Sequence, residues 1–154
     1  MVNIMLEVND EKYQVSVAPY ETLVDVLRDR LGLLEVKKGC DEGGCGACTV
    51  LVSGKAIYSC LMLAVQAEGK VITTVRGLVK DGKLHSLQEN FIKCGAIQCG
   101  YCTPGMVLAG KAFLDENPQP SEGEVRQAIS GNMCRCTGYQ QIVEAIIATA
   151  TEDR

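Results

Sequence analysis

Cys40-Asp41-Glu42-Gly43-Gly44-Cys45-Gly46-Ala47-Cys48-Thr49-Val50 is the stretch on which the reading of this chain turns. Its three cysteines stand at x4 and x2 spacing with glycines between them, and a fourth sulfur follows at Cys60. This is the plant-type ferredoxin spacing, which holds a [2Fe–2S] cluster on four thiolates. Two ferric ions, two sulfides and four thiolates sum to a dianion, and one-electron reduction makes it a trianion. Burying that charge is costly unless hydrogen-bond donors face it. Gly43, Gly44 and Gly46 let the loop curl tightly and turn backbone N–H groups toward sulfur, as anion-binding nests do. The same hydrogen bonds tune the reduction potential, which lies near roughly −400 mV for plant-type clusters.

A second tetrad lies further along the chain, Cys99-x2-Cys102 and Cys134-x1-Cys136. Each pair immediately precedes a predicted helix, one opened by Thr103-Pro104 and one beginning near Tyr139. Two helix N-termini would then direct partial positive charge at one anionic group. Arg135 places a full charge between two of the candidate ligands. Taken alone, these pairs are less specific than the first tetrad, and structural zinc is their main competitor. The x4–x2 spacing with internal glycines and the tight C-x-C both fit paired zinc knuckles poorly. A thioredoxin-like reading of Cys99-Gly100-Tyr101-Cys102 needs a βαβ context, whereas this half reads as helical. Cys94, the ninth cysteine, reads as a small buried hydrophobe. Gln98 is either polar filler at a helix end or a cofactor contact. The pair Asp41-Glu42 reads as solvated loop, with an acidic docking surface as the alternative.

Around these motifs the pattern changes halfway. Val2, Ile4, Leu6 and Val8, then Tyr13, Val15 and Val17, alternate about an Asn9-Asp10-Glu11 turn and predict a hairpin. Thr22 caps a helix carrying Leu23, Val26, Leu27 and Leu31 on one face, and Gly32 stops it. Thr49–Val52 and Ala56–Tyr58 form a second hairpin, and Val71–Val75 a last strand. Beyond Lys80-Asp81-Gly82-Lys83 come four helices: one from a capping box at Ser86–Glu89, one over Thr103–Leu114, one from Ser121-x-x-Glu124 to Gly131, and one over Tyr139–Ala150. His85 reads as a surface or linker residue. The expected division is 1–77, an α+β unit, and 84–154, a four-helix bundle.

Composition narrows the class. At 47% hydrophobic and 22% charged the chain is an ordinary globular protein. Two Phe, five Tyr and no Trp leave thin cores, and such cores often lean on metals or a partner. A net charge of −4 and no basic stripe argue against nucleic acid. No apolar run approaches the roughly 18 residues needed to span a membrane. The N-terminus lacks the features of a signal peptide, so reduced, metal-binding thiols and a cytoplasmic location are expected. The chain has no G-x-G-x-x-G, P-loop or Ser/His/Asp set, so any catalysis is expected on another chain.

Three strings carry a family resemblance: Lys38-Gly39-Cys40 through Cys48-Thr49-Val50, Gln98-Cys99-Gly100-Tyr101-Cys102-Thr103-Pro104-Gly105, and Asn132-Met133-Cys134-Arg135-Cys136-Thr137-Gly138-Tyr139. In this order, over essentially the whole chain, they resemble the small iron–sulfur subunit of the molybdenum hydroxylases, the xanthine dehydrogenase family. The resemblance implies a β-grasp plant-type ferredoxin-like domain followed by a helical domain, with one [2Fe–2S] cluster each. It implies a large catalytic subunit carrying molybdopterin and a medium subunit carrying FAD, with a dimer of such heterotrimers as the larger assembly. Electrons would run from molybdenum to the Cys99/Cys102/Cys134/Cys136 site, then to Cys40/Cys45/Cys48/Cys60, then to flavin. Gln98 and Cys136 would approach the pterin. A free double-cluster ferredoxin and a zinc-stabilised interaction module are the alternatives from other classes.

Overall fold

The computed structural model describes residues 1–152 and opens with the hairpin that the alternation predicts. Strands β1 (Val2–Val8) and β2 (Glu11–Val17) pair antiparallel. Asn9 and Asp10 turn between them at φ 52° and 67°, the mirror-image turn that matches strand twist. Glu11 belongs to the ladder opposite Val8 and not to the turn. Thr22 caps the short α1 (Leu23–Asp25), its hydroxyl accepting the Asp25 N–H. The helix then widens into a π segment over Val26–Arg30 and ends before Gly32. The expected helix is therefore in place, but more widely wound than a uniform α-helix.

Strands β3 (Thr49–Val52), β4 (Lys55–Tyr58) and β5 (Val71–Thr73) complete a sheet of order β2-β1-β5-β3-β4. Its central β1–β5 pair is parallel and every other pair antiparallel. A helix lying across such a mixed sheet is the β-grasp arrangement. Ile4, Leu6 and Val8 point inward against Leu23, Val24 and Leu27, all buried. Strand β5 stops two residues short of the expected Val75. Thr74 leaves the ladder to bond Asn9 and Glu35, and Val75–Leu78 turns as a 3-10 helix.

The second half holds α2 (Ser86–Lys93), α3 (Thr103–Glu116), α4 (Glu122–Ala128) and α5 (Gln140–Glu152). The first capping box sits one residue earlier than the sequence suggests. His85, not Ser86, caps α2: its Nδ1 accepts the Leu87 N–H, and its own amide donates to Gln88. Ser121 and Glu124 cap α4 as expected, and that helix ends at Ala128, short of Gly131. Leu87, Phe91, Met106, Leu108, Ile142 and Ile146 form the second core. All four residues of β3 are buried. Val50 and Val52 belong to the first core, while Leu51 belongs to the second, because α3 packs on the opposite face of β3. Among the described residues no helix is long and apolar enough to cross a membrane.

Lys38 ties α1 to the cysteine loop, reaching Asp25 at 2.6 Å and Asp41 at 3.0 Å. Burial opposes ionisation of Asp25, but the Lys38 and Thr22 hydrogen bonds outweigh it and hold the carboxyl below its ordinary range. A depressed folded-state pKa stabilises above the unfolded value and loses that contribution as pH falls through the folded one. Asp25→Asn is therefore expected to cost about 1 kcal/mol at neutral pH. The difference between thermal melts of the two proteins should begin to shrink near pH 4 and vanish only below the lowered folded-state pKa of Asp25.

Candidate metal centres

The loop before β3 wraps its amides around sulfur. Cys40 Sγ accepts the N–H groups of Glu42 at 3.4 Å, Gly44 at 3.2 Å and Cys45 at 3.3 Å. Cys45 Sγ accepts those of Cys40 and Ala47, both at 3.4 Å. The Gly43 amide faces Cys60. These donors, Glu42 and Cys45 foremost, hold the Cys40 thiol down to about 7. Burial, then the neighbouring Cys48, pushes Cys60 up to about 11. Such a mixed set becomes four thiolates only when metal charge displaces the remaining protons. Gly43 and Gly44 play their expected part. Gly46 does something else, because its carbonyl is the group engaged.

The second tetrad gathers the end of the α2–α3 connection and the loop before α5. Burial, then Cys134, drives Cys102 up to about 12. At Cys134 burial again opposes ionisation, but donors from Thr137 and Cys136 outweigh it and lower the thiol. Thr137 N–H lies 3.4 Å and its hydroxyl 3.1 Å from Cys134 Sγ. Cys99 and Cys136 are exposed, whereas Cys102 and Cys134 are half-buried. The second tetrad therefore has an open edge and a closed one.

Within each tetrad the thiols act on one another's ionisation: Cys48 and then Cys40 raise Cys60, and Cys134 and then Cys99 raise Cys102, each after burial. A binuclear core on four thiolates places two on each iron. Among the described residues no three His, Cys, Asp or Glu side chains converge on a point fit for a single ion. The donor chemistry fits a [2Fe–2S] core: soft thiolates, four to a site, with amides directed at sulfur.

The two sites share a seam. Met133 N–H donates to the Cys45 carbonyl at 2.8 Å. Asn132, 5% exposed, donates from Nδ2 to the Gly46 carbonyl at 2.9 Å and to Thr49 Oγ1 at 3.2 Å. Tyr58 hydroxyl donates to the Gly131 carbonyl at 2.8 Å. Cys134 directly follows Met133, so this hydrogen bond joins the Cys45 backbone to the residue beside Cys134. Asn132→Ala removes two buried hydrogen bonds at about 1 kcal/mol each. A melting temperature lower by about 4–8 °C is expected, and a fall under about 1 °C would refute this role.

Comparison with known proteins bears on the same two regions. Residues 6–75 match the 2Fe-2S iron-sulfur cluster binding domain family, and residues 74–147 match the [2Fe-2S] binding domain family. The nicotinate dehydrogenase small FeS subunit of Eubacterium barkeri is 49% identical, over 94% of this chain and 92% of that protein. The xanthine dehydrogenase iron-sulfur-binding subunit of Escherichia coli O157:H7 is 47% identical, over 95% and 92%. The chain is an iron–sulfur subunit of the molybdenum hydroxylase family. The crystal structure of quinoline 2-oxidoreductase from Pseudomonas putida 86 contains a chain of the same fold. It superposes with a TM-score of 0.94 and 46% identity, covering 99% of this chain and 94% of that one. Like its molybdenum hydroxylase relatives, the chain acts in electron transfer within an enzyme complex.

The remaining candidates divide by exposure. Gln98 is exposed beside Cys99, on the same open edge as Cys136. Cys94 ends α2 and packs against the helical core. Asp41 is not merely solvated, since it pairs with Lys38, whereas Glu42 is exposed. The residues that sequence reasoning passed over are those of the seam: Asn132, Met133 and Tyr58, with Gly105 against Gly46. Asn132 and Met133 stand inside a quoted motif, so proximity to Cys134 was the available signal. Nothing in the linear sequence marks Tyr58.

Proposed function

We propose that Cys40, Cys45, Cys48 and Cys60 ligate one [2Fe–2S] cluster and that Cys99, Cys102, Cys134 and Cys136 ligate the other. The observation that carries this reading is the set of backbone N–H groups aimed at ligand sulfur, three on Cys40 and that of Thr137 on Cys134. When bound, each cluster supplies a one-electron centre. The chain's residues supply the setting: amides aimed at Cys40, Cys45, Cys60 and Cys134, and a hydrogen-bonded seam between the two loops. Residues 1–77 and 84–154 are the corresponding folding units, joined at β3 and the seam.

The open edge, Gln98 with Cys99 and Cys136, faces the molybdopterin-binding subunit. The Cys40–Cys60 site faces a medium FAD-binding subunit. The complex is a cytoplasmic heterotrimer that pairs into a dimer of heterotrimers. Relatives of similar identity are named for nicotinate, xanthine and aldehyde chemistry. Substrate choice accordingly belongs to the large subunit and not to this one. Purification from the native host tests the reading. Co-elution with a molybdenum-containing and a flavin-containing chain is expected, with two irons per tetrad and red-brown absorption. A colourless, zinc-bearing chain that elutes alone would sink it.

A further inference from the structure

Tyr139 is a tyrosine in a conformation that favours glycine, at φ 71° immediately before α5. A bulky residue persists there only when its surroundings over-determine it. Three contacts do so. Its ring packs against the helical core. Its hydroxyl accepts the Cys134 N–H at 3.0 Å. Its own N–H donates to Thr137 Oγ1 at 3.1 Å. The last contact orients a proton. Because Thr137 Oγ1 accepts from Tyr139, its hydroxyl hydrogen is directed elsewhere, and Cys134 Sγ lies 3.1 Å away. A thiolate has no hydrogen to give, so with Cys134 as a metal ligand the donor in that pair is Thr137.

We propose that Tyr139 and Thr137 form a clasp that aims the Thr137 hydroxyl at Cys134 and thereby raises the reduction potential of the helical-domain cluster. This rests on the reading of Cys134 as a ligand. One-electron reduction adds one negative charge and no proton, and the hydroxyl hydrogen stays on the threonine oxygen. A donor to ligand sulfur favours the more negative state, so its presence raises the potential. Thr137 and Tyr139 are positioning residues, since neither reaches a substrate. Among the described residues, backbone amides donate to Cys40 and Cys45 sulfur, so the clasp would set the two clusters apart.

The test is a potentiometric titration of the complete complex with dithionite as reductant, followed by paramagnetic resonance of both reduced clusters. Thr137→Val is expected to shift one reduction equilibrium about tenfold toward the oxidised form, about 59 mV for a one-electron couple. The other cluster should not move, and Thr137→Ser should restore the shifted one. Both signals present with unmoved midpoints would overturn the clasp while leaving the ligand assignment intact. Unmodified complex with fewer than two [2Fe–2S] signals would instead overturn the assignment beneath it. Should the valine variant fail to assemble, double resonance on unmodified complex transferred briefly to D2O decides the matter. A rapidly exchanging proton coupled to one cluster supports the clasp, and its absence overturns it.

Discussion

Cys45→Ser is expected to remove one of the two paramagnetic signals from the reduced complex and about half of its iron. Serine places a hard, weakly acidic hydroxyl where a soft thiolate is needed. The Cys40 and Ala47 amides that faced Cys45 Sγ also lose their acceptor. The second signal should survive, because Cys99, Cys102, Cys134 and Cys136 lie on other elements with their own core. Cys94→Ser is the control, and both signals should remain. Loss of either signal in the control, or retention of both in Cys45→Ser, would show the ligand set to be wrong.

Gly46→Ala is expected to be the most damaging single-methyl change outside the cysteines. Gly46 sits at φ 70°, and a Cβ there would stand 2.5 Å from the Gly131 carbonyl and 2.7 Å from Asn132 Nδ2. The left-handed conformation alone costs roughly 1–2 kcal/mol for a residue with a side chain. The clash falls on backbone, so relief means parting the loop from the Gly131–Met133 segment. A total near 3 kcal/mol corresponds to a melting temperature lower by about 6–12 °C. Loss of the Met133–Cys45 hydrogen bond should also slow electron exchange between the two clusters in rapid-freeze measurements. Gly54→Ala separates the two causes. Gly54 has φ 80° in the β3–β4 turn but nothing within 4 Å of a Cβ, so it should lose only the conformational share. Equal losses at both positions would remove the seam from the explanation.

The elements were largely legible because local physics specifies them. Alternation marked β1 and β2, Thr22 marked the helix start, and Ser121 with Glu124 marked α4. The misses each have a particular cause. His85 caps α2 through a ring nitrogen, a less usual acceptor than the serine beside it. Strand β5 ends early because Asn9, distant in sequence, draws Thr74 away. The π winding after Asp25 leaves no trace in an apolar pattern that suits a regular helix equally well.

Cysteine spacing, with glycines between and a strand following, was enough to fix the chemistry of this subunit, since iron chemistry requires particular donors at particular reach along the chain. Spacing cannot say how two such sites meet. That was decided by packing: β3 buried on both faces, Leu51 given to the helical core, and Gly46 held bare so that Gly131, Asn132 and Met133 could approach it. The reason is physical. Ligand geometry is a property of a few neighbouring residues. A seam between two domains forms from hydrogen-bonded groups more than seventy residues apart, as from Gly46 to Asn132, and no local preference encodes their contact.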